Sequence, residues 1–192
     1  DAYFQLVLYP VLALSNIYNL YHALGKNHLY YTQQRALTNL MADSVEYYFK
    51  RDSVLKYQYN HNLANGKWNH MMDQTKFGYT SWYDPKTDTL PQTYRLVLKK
   101  EALPEILLEG KTDEFGVVKD SVLSFDKYND QNYFIELYNK GITPFQYHIK
   151  SDCDWIVTTK NSGEILDQEK IFISVDWAKV GVGDHEGRVD IS

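Results

Sequence analysis

The sequence holds one cysteine, Cys153. That excludes an internal disulfide and any metal site built from several cysteines, and a lone thiol reads as a small half-buried filler. No run of about 18 apolar residues occurs, so nothing qualifies as a membrane-spanning helix. The longest, Leu6 to Leu14, is interrupted by Pro10. Basic charge is not in excess: 20 Lys and Arg stand against 25 Asp and Glu, a formal charge of -5. A nucleic-acid partner would call for a basic stripe, so none is expected. An initiating Met, a basic leader and a cleavage site are missing, and no signal peptide is visible. Because it opens on Asp1 inside a helical pattern, the chain reads as a piece of a longer protein. There is no repeat, charge block, Gly-rich phosphate loop, nucleophile elbow or dinucleotide fingerprint. His22 and His28 are six apart, and His61 and His70 nine apart; neither spacing suits a helical pair of metal ligands. No cofactor or metal is expected.

What is present is a globular mix, 44% hydrophobic and 23% charged, over 192 residues, enough for one large or two small domains. The unusual quantity is aromatic content, 15% with 17 Tyr and 4 Trp. Tyr joins an apolar face to a polar tip, which suits packed interfaces and sugar-binding surfaces.

The chain changes character between Pro85 and Pro91. We therefore expect an α+β protein of two domains: residues 1–91, an antiparallel helical bundle with an aromatic elbow, and 92–192, an immunoglobulin-like β-sandwich. In the first segment Val7, Val11, Leu14, Tyr18 and Tyr21 follow helical spacing. Phe4, Leu8, Leu12 and Ile17 thicken that stripe until the helix is apolar nearly all round. Such a helix belongs in a buried position, and two further helices cover only part of it, so it is expected to dock against something outside this chain. Pro10 should kink or open it, and Gly25 reads as its stop. A second helix is expected over 27–51, with Leu37, Leu40, Met41, Val45, Tyr48 and Phe49 inward. Asp52 and Ser53 read as the cap of a third, reaching Leu63. Beyond residue 92, strands are expected over 94–99, 122–125, 133–138, 145–149, 155–159 and 170–175. Asn139-Lys140-Gly141 and Asn161-Ser162-Gly163 read as turns, and Trp155 as the core anchor.

Between the halves, Lys67 to Trp82 packs two Trp, a Tyr, His, Asn and Gln into sixteen residues. A sugar site needs that mixture: aromatic faces stack on C–H surfaces while amides bond ring hydroxyls. A packed interdomain elbow would use the same residues. The segment KWNHMMDQTKFGYTSW, with the upstream YFQLVLYPVLALSNIYNLYHAL, resembles the region that follows the catalytic barrel in glycoside hydrolase family 115, the xylan α-glucuronidases. The matching residues are Tyr9-Pro10-Val11, Asn16, Lys67 to Met72, Gln74-Thr75, Gly78-Tyr79-Thr80 and Trp82. A weaker likeness continues through Asn139, Gly141, Pro144-Phe145, Trp155-Ile156, Gly163 and Val175-Asp176-Trp177.

The resemblance implies a part of an inverting hydrolase that removes glucuronic acid, or its 4-O-methyl ether, from glucuronoxylan. It also implies a periplasmic or extracellular location and, as partner, an upstream (β/α)8 barrel of the same polypeptide. That barrel needs about 250 residues and is not encoded here. On this reading Trp68, Tyr79 and Trp82 offer stacking faces, while Asn69, His70 and Gln74 bond substrate or hold barrel loops. Met71 and Met72 read as gap fillers, and Lys67 as a surface lysine or a uronate partner. Inversion needs two carboxyls about 6.5–9.5 Å apart. Asp43, Glu46, Asp52 and Asp73 are the candidates in the helical half. Asp43 and Glu46 share a helix face as solvated charges do, and no catalytic residue is assigned to this chain. Two other readings compete: a free carbohydrate-binding module, and a structural element that forms a homodimer through the apolar first helix.

Overall fold

The structure, a computed structural model, describes residues 1–83 and 85–192. It is an α+β protein that divides into two compact units. The first comprises Asp1–Tyr31 and Leu37–Leu96, the second Thr32–Ala36 and Val97–Ser192.

The first unit is built on two α-helices, α1 (Tyr9–Thr32) and α2 (Thr38–Tyr57), where the sequence suggests three. Gly25 does not end α1. It is exposed, and a glycine inside a helix costs only about 1 kcal/mol. Asp52 does not cap a third helix either. It is buried within α2, and both its oxygens accept bonds from Lys76 Nζ at 2.8 and 2.9 Å instead of from helix N–H groups. Pro10 opens the chain as expected: Phe4–Leu8 form a π turn, and Tyr9 N–H donates to Phe4 O. The wider turn relieves the clash between a proline ring and the carbonyl four residues back.

The helices run antiparallel, since Asn16 on α1 donates to Tyr48 O (2.9 Å) and Asn27 to Thr38 O (2.8 Å). Leu20, Ala23, Val45 and Phe77 fill one core of this unit, and Tyr9, Leu55, Tyr59 and Leu63 another. The outer face of α1 and of the turn that precedes it is uncovered in this chain: Tyr3, Leu6, Val7, Leu8, Val11, Leu14, Tyr18 and Tyr21 are all exposed, Tyr18 by 70%.

Residues 94–99 alternate as a strand would, yet they join no sheet. Within the first unit, helix side chains bond this stretch instead. Asn27 accepts from Tyr94 N–H (2.8 Å) and donates to Tyr94 O (2.9 Å). Asn39 treats Leu96 the same way at 2.8 and 3.0 Å, and His28 Nε2 donates to Gln92 O at 2.9 Å. Two amide side chains thus supply the donor and acceptor that a neighbouring strand would have offered.

The second unit carries seven antiparallel strands: β1 (Pro104–Leu108), β2 (Tyr133–Asn139), β3 (Phe145–Ser151), β4 (Ile156–Thr158), β5 (Ser162–Ile165), β6 (Gln168–Val175) and β7 (Val189–Ile191). They form one sheet in the order β1-β2-β6-β4 and another in the order β5-β3-β7. A single buried cluster draws on both: Leu108, Ile135, Leu137, Ile171 and Ile173 from the first, and Tyr147, Ile149 and Ile165 from the second. Residues 122–125 form no strand. Asn161-Ser162-Gly163 leads into β5 rather than forming a free turn, and Gly163 stands opposite Tyr147. A Cβ there would lie 2.8 Å from the Tyr147 ring, so only glycine fits. Trp155 is half-buried ahead of β4 and outside the central cluster; Tyr147 takes the place expected of it.

Arg35, only 2% exposed, lies in the Thr32–Ala36 part of this unit. Its guanidinium donates to Glu136 (2.9 Å), Gln168 (2.9 Å) and Gln33 (2.6 Å) and sits 4.0 Å from the centre of the Tyr138 ring.

Buried tyrosines in both units make stability sensitive to alkali. Burial pushes Tyr147 up to about 12, helped by the bond its hydroxyl donates to Glu169 (3.0 Å). Burial, with the charge of Asp52, does the same to Tyr9, also about 12. Both groups keep their protons to a higher pH when folded than when unfolded, where they titrate near 10.0. The stability they contribute is complete below pH 10 and is lost as pH rises towards 12. Urea midpoints measured from about pH 8 to 11.5 should fall above pH 10, and the fall should be smaller in Tyr147→Phe.

Candidate functional site

The segment from Lys67 to Trp82 follows a second π turn, Gln58–Asn62, and a short 3-10 turn, Leu63–Gly66. Ala64, Asn65 and Gly66 all have positive φ (48°, 55° and 77°), which reverses the chain sharply. Phe77 anchors the far end. It is buried against Phe49, and Asp88 accepts from both the Lys76 and Phe77 N–H groups at 2.5 and 2.9 Å.

The six proposed site residues divide into three kinds. Trp68 is half-buried against the Tyr9–Leu55–Tyr59–Leu63 cluster, with the Lys67 ammonium 4.8 Å from the centre of its ring. Met72 packs on the same cluster, while Met71 is exposed. Tyr79, Trp82 and Gln74 face solvent. Trp82 is 95% exposed, Tyr79 donates its hydroxyl to Thr75 O at 3.1 Å, and Gln74 makes no side-chain bond among the described residues. Asn69 and His70 belong to a hydrogen-bonded cluster.

In that cluster His70 Nδ1 lies 2.6 Å from Asp73 Oδ2. The other Asp73 oxygen accepts from Asn60 Nδ2 at 2.7 Å, and Asn60 Oδ1 accepts the Met72 N–H at 3.0 Å. Lys56 Nζ donates to Asp73 O at 3.1 Å and lies 3.9 Å from its carboxylate. Asn69 Oδ1 accepts the His70 N–H (3.0 Å), and its amide nitrogen lies 3.3 Å from His70 Nε2. The His70 bond, more than any other influence, holds the Asp73 carboxyl below the usual carboxylate range. Lys56 and Asn60 escape a reading of the sequence because they come from the last turn of α2 and the π turn, ten or more residues upstream.

No protein-family model matches this chain. Nor does any curated protein. The site has to be read from its own chemistry.

Four acids of the first unit are engaged with cations. Arg95 Nη2 bridges Asp43 (2.7 Å) and Glu46 (2.9 Å), Lys76 pairs with Asp52, and His70 and Lys56 flank Asp73. Among the described residues no three His, Cys, Asp or Glu side chains converge as a metal centre requires. Two open depressions, one of about 300 Å³ beside Phe4, Gln58 and Leu63 and one of about 260 Å³ over Gln146, His148 and Glu164, include none of the six residues. The arrangement offers exposed aromatic faces and a fixed imidazole on an outward loop.

Proposed function

We propose that this chain is a non-barrel part of an inverting α-glucuronidase of glycoside hydrolase family 115, acting on glucuronoxylan outside the cytoplasm. Its α1 face docks on the catalytic part of the same polypeptide, and its Lys67–Trp82 loop borders the substrate. The two helices are part of an antiparallel bundle completed by the partner, and the β1-β2-β6-β4 and β5-β3-β7 sheets form an immunoglobulin-like sandwich.

The observation that carries the proposal is the outer face of α1. From Ala2 to Gly25 there is no Asp, Glu, Lys or Arg, and eight large apolar side chains on this stretch face solvent. That is on the order of the roughly 800 Å² one partner gives to a standard interface, and more than an isolated surface ordinarily leaves bare. Among the described residues no helix is long and apolar enough to cross a membrane.

The test is made in the full-length enzyme. Val11→Asp with Tyr18→Asp should lower turnover of glucuronoxylan at least tenfold through loss of docking, while circular dichroism of this chain alone stays unchanged. Full turnover in the double variant would remove the proposal. A carbohydrate-binding module without catalysis is the second reading, favoured by Trp82 and Tyr83, 95% and 82% exposed. It requires this chain alone to be retarded in a glucuronoxylan gel.

A further inference from the structure

We propose that Asn60 and Asp73 lock His70 in its Nδ1–H tautomer, so that the Nε2 lone pair accepts a hydroxyl of a polysaccharide. His70 is then the binding group and the other two are positioning residues. The choice of a sugar ligand rests on the function proposed above; the tautomer does not.

The hydrogen bonds run in one direction. A main-chain N–H can only donate, so the oxygen of Asn60 must face Met72 and its NH2 must face Asp73. Asp73, with its carboxyl held low, is an acceptor only. The ring nitrogen 2.6 Å from it therefore carries the hydrogen, and in the neutral ring Nε2 is left with a bare lone pair. Asn60 is only 2% exposed, so the chain of bonds starts inside the unit and ends on a ring that is 78% exposed. A plain surface ion pair needs no buried amide behind it. His70 also sits at φ 70°, a left-handed conformation uncommon for residues other than glycine. The contact from Asn69 Nδ2 to Nε2, at 3.3 Å, is long for a hydrogen bond, so an incoming hydroxyl replaces it at small cost.

The experiment is imidazole nitrogen NMR on the whole chain at about pH 9, above the ordinary histidine range. The expected spectrum shows Nδ1 protonated and Nε2 bare, with Nε2 shifting when xylo-oligosaccharides bearing 4-O-methylglucuronate are added. Asp73→Asn keeps one acceptor oxygen, which the Asn60 NH2 claims, so its own NH2 meets Nδ1 and the ring should switch to the Nε2–H tautomer. Asp73→Leu should lose the Nδ1–H preference and bind the oligosaccharide about tenfold more weakly, as removal of one directed hydrogen bond implies. The wild-type spectrum needs no variant, so a leucine variant that fails to fold leaves the result decisive. A wild-type ring protonated on Nε2 overturns the lock. An Nε2 signal unmoved by saturating oligosaccharide overturns the binding role. If unsubstituted xylo-oligosaccharides shift Nε2 equally well, His70 stands as proposed and the glucuronidase reading falls.

Discussion

Arg35→Ala should lower the stability of the second unit by about 3–5 kcal/mol, the range for breaking a buried ion pair from one side. The side chain is almost completely buried, and so is its partner Glu136. Removing the guanidinium leaves that carboxylate without its cation, leaves the amide oxygens of Gln33 and Gln168 without their donor, and opens a void beside the Tyr138 ring. At about 4–8 °C per kcal/mol for a unit of this size, the melting temperature should fall by at least 12 °C. Much of the loss is the unpaired carboxylate rather than the pair itself. The double variant Arg35→Met with Glu136→Met should therefore recover more than half of it. Thermal melts of the three proteins decide the matter: if the double variant is as unstable as the single, the charge argument is wrong and packing of the arginine is what counts.

Asn27→Leu is the second large effect, expected at about 3 kcal/mol. One fully buried amide satisfies three main-chain groups, Thr38 O, Tyr94 O and Tyr94 N–H, and each costs on the order of 1 kcal/mol or more when stranded. Leucine keeps the volume, so the loss isolates hydrogen bonding. The damage should be local before it is global. Amide exchange at Tyr94 should quicken about a hundredfold or more while that of Val45 changes far less. An unchanged Tyr94 amide would show that the stretch is held by the stacking of Tyr94 on Tyr31, 4.6 Å between ring centres, and not by Asn27.

These two residues also show where the sequence could be read and where it could not. Strands β2, β4 and β6 were legible as runs rich in β-branched and aromatic residues, and β3 because apolar and polar residues alternate, which follows from one face being buried. The same alternation over 94–99 misleads, because it records burial on one side and not what bonds the backbone. Here the partners are asparagines from two helices, and no local pattern announces them. Gly25 and Asp52 misled for a related reason. A glycine need not end a helix, and an aspartate committed to Lys76 is no longer free to cap one. β5 was hidden by its own glycine, which looks like a turn until the Tyr147 ring is seen over it.

The candidate site was legible in composition and illegible in arrangement. Lys67 to Trp82 stands out because tryptophan, histidine, asparagine and glutamine crowd together. Nothing in that string says that Trp68 packs inward while Trp82 projects into water. Nor does it say that His70 takes its orientation from Asn60 through Asp73. Those facts depend on a chain reversal at Ala64–Gly66 that brings the loop back over the π turn.

The five residues Thr32–Ala36 have a practical consequence for anyone dividing this protein. A single cut after Leu96 does not yield two complete pieces. The carboxy-terminal piece would carry Glu136 without Arg35, and the amino-terminal piece would carry Arg35 with nowhere to bury it. Autonomous expression of either half calls for rerouting: the β half needs Thr32–Ala36 spliced back on through a new linker, and the helical half needs a neutral connector in their stead.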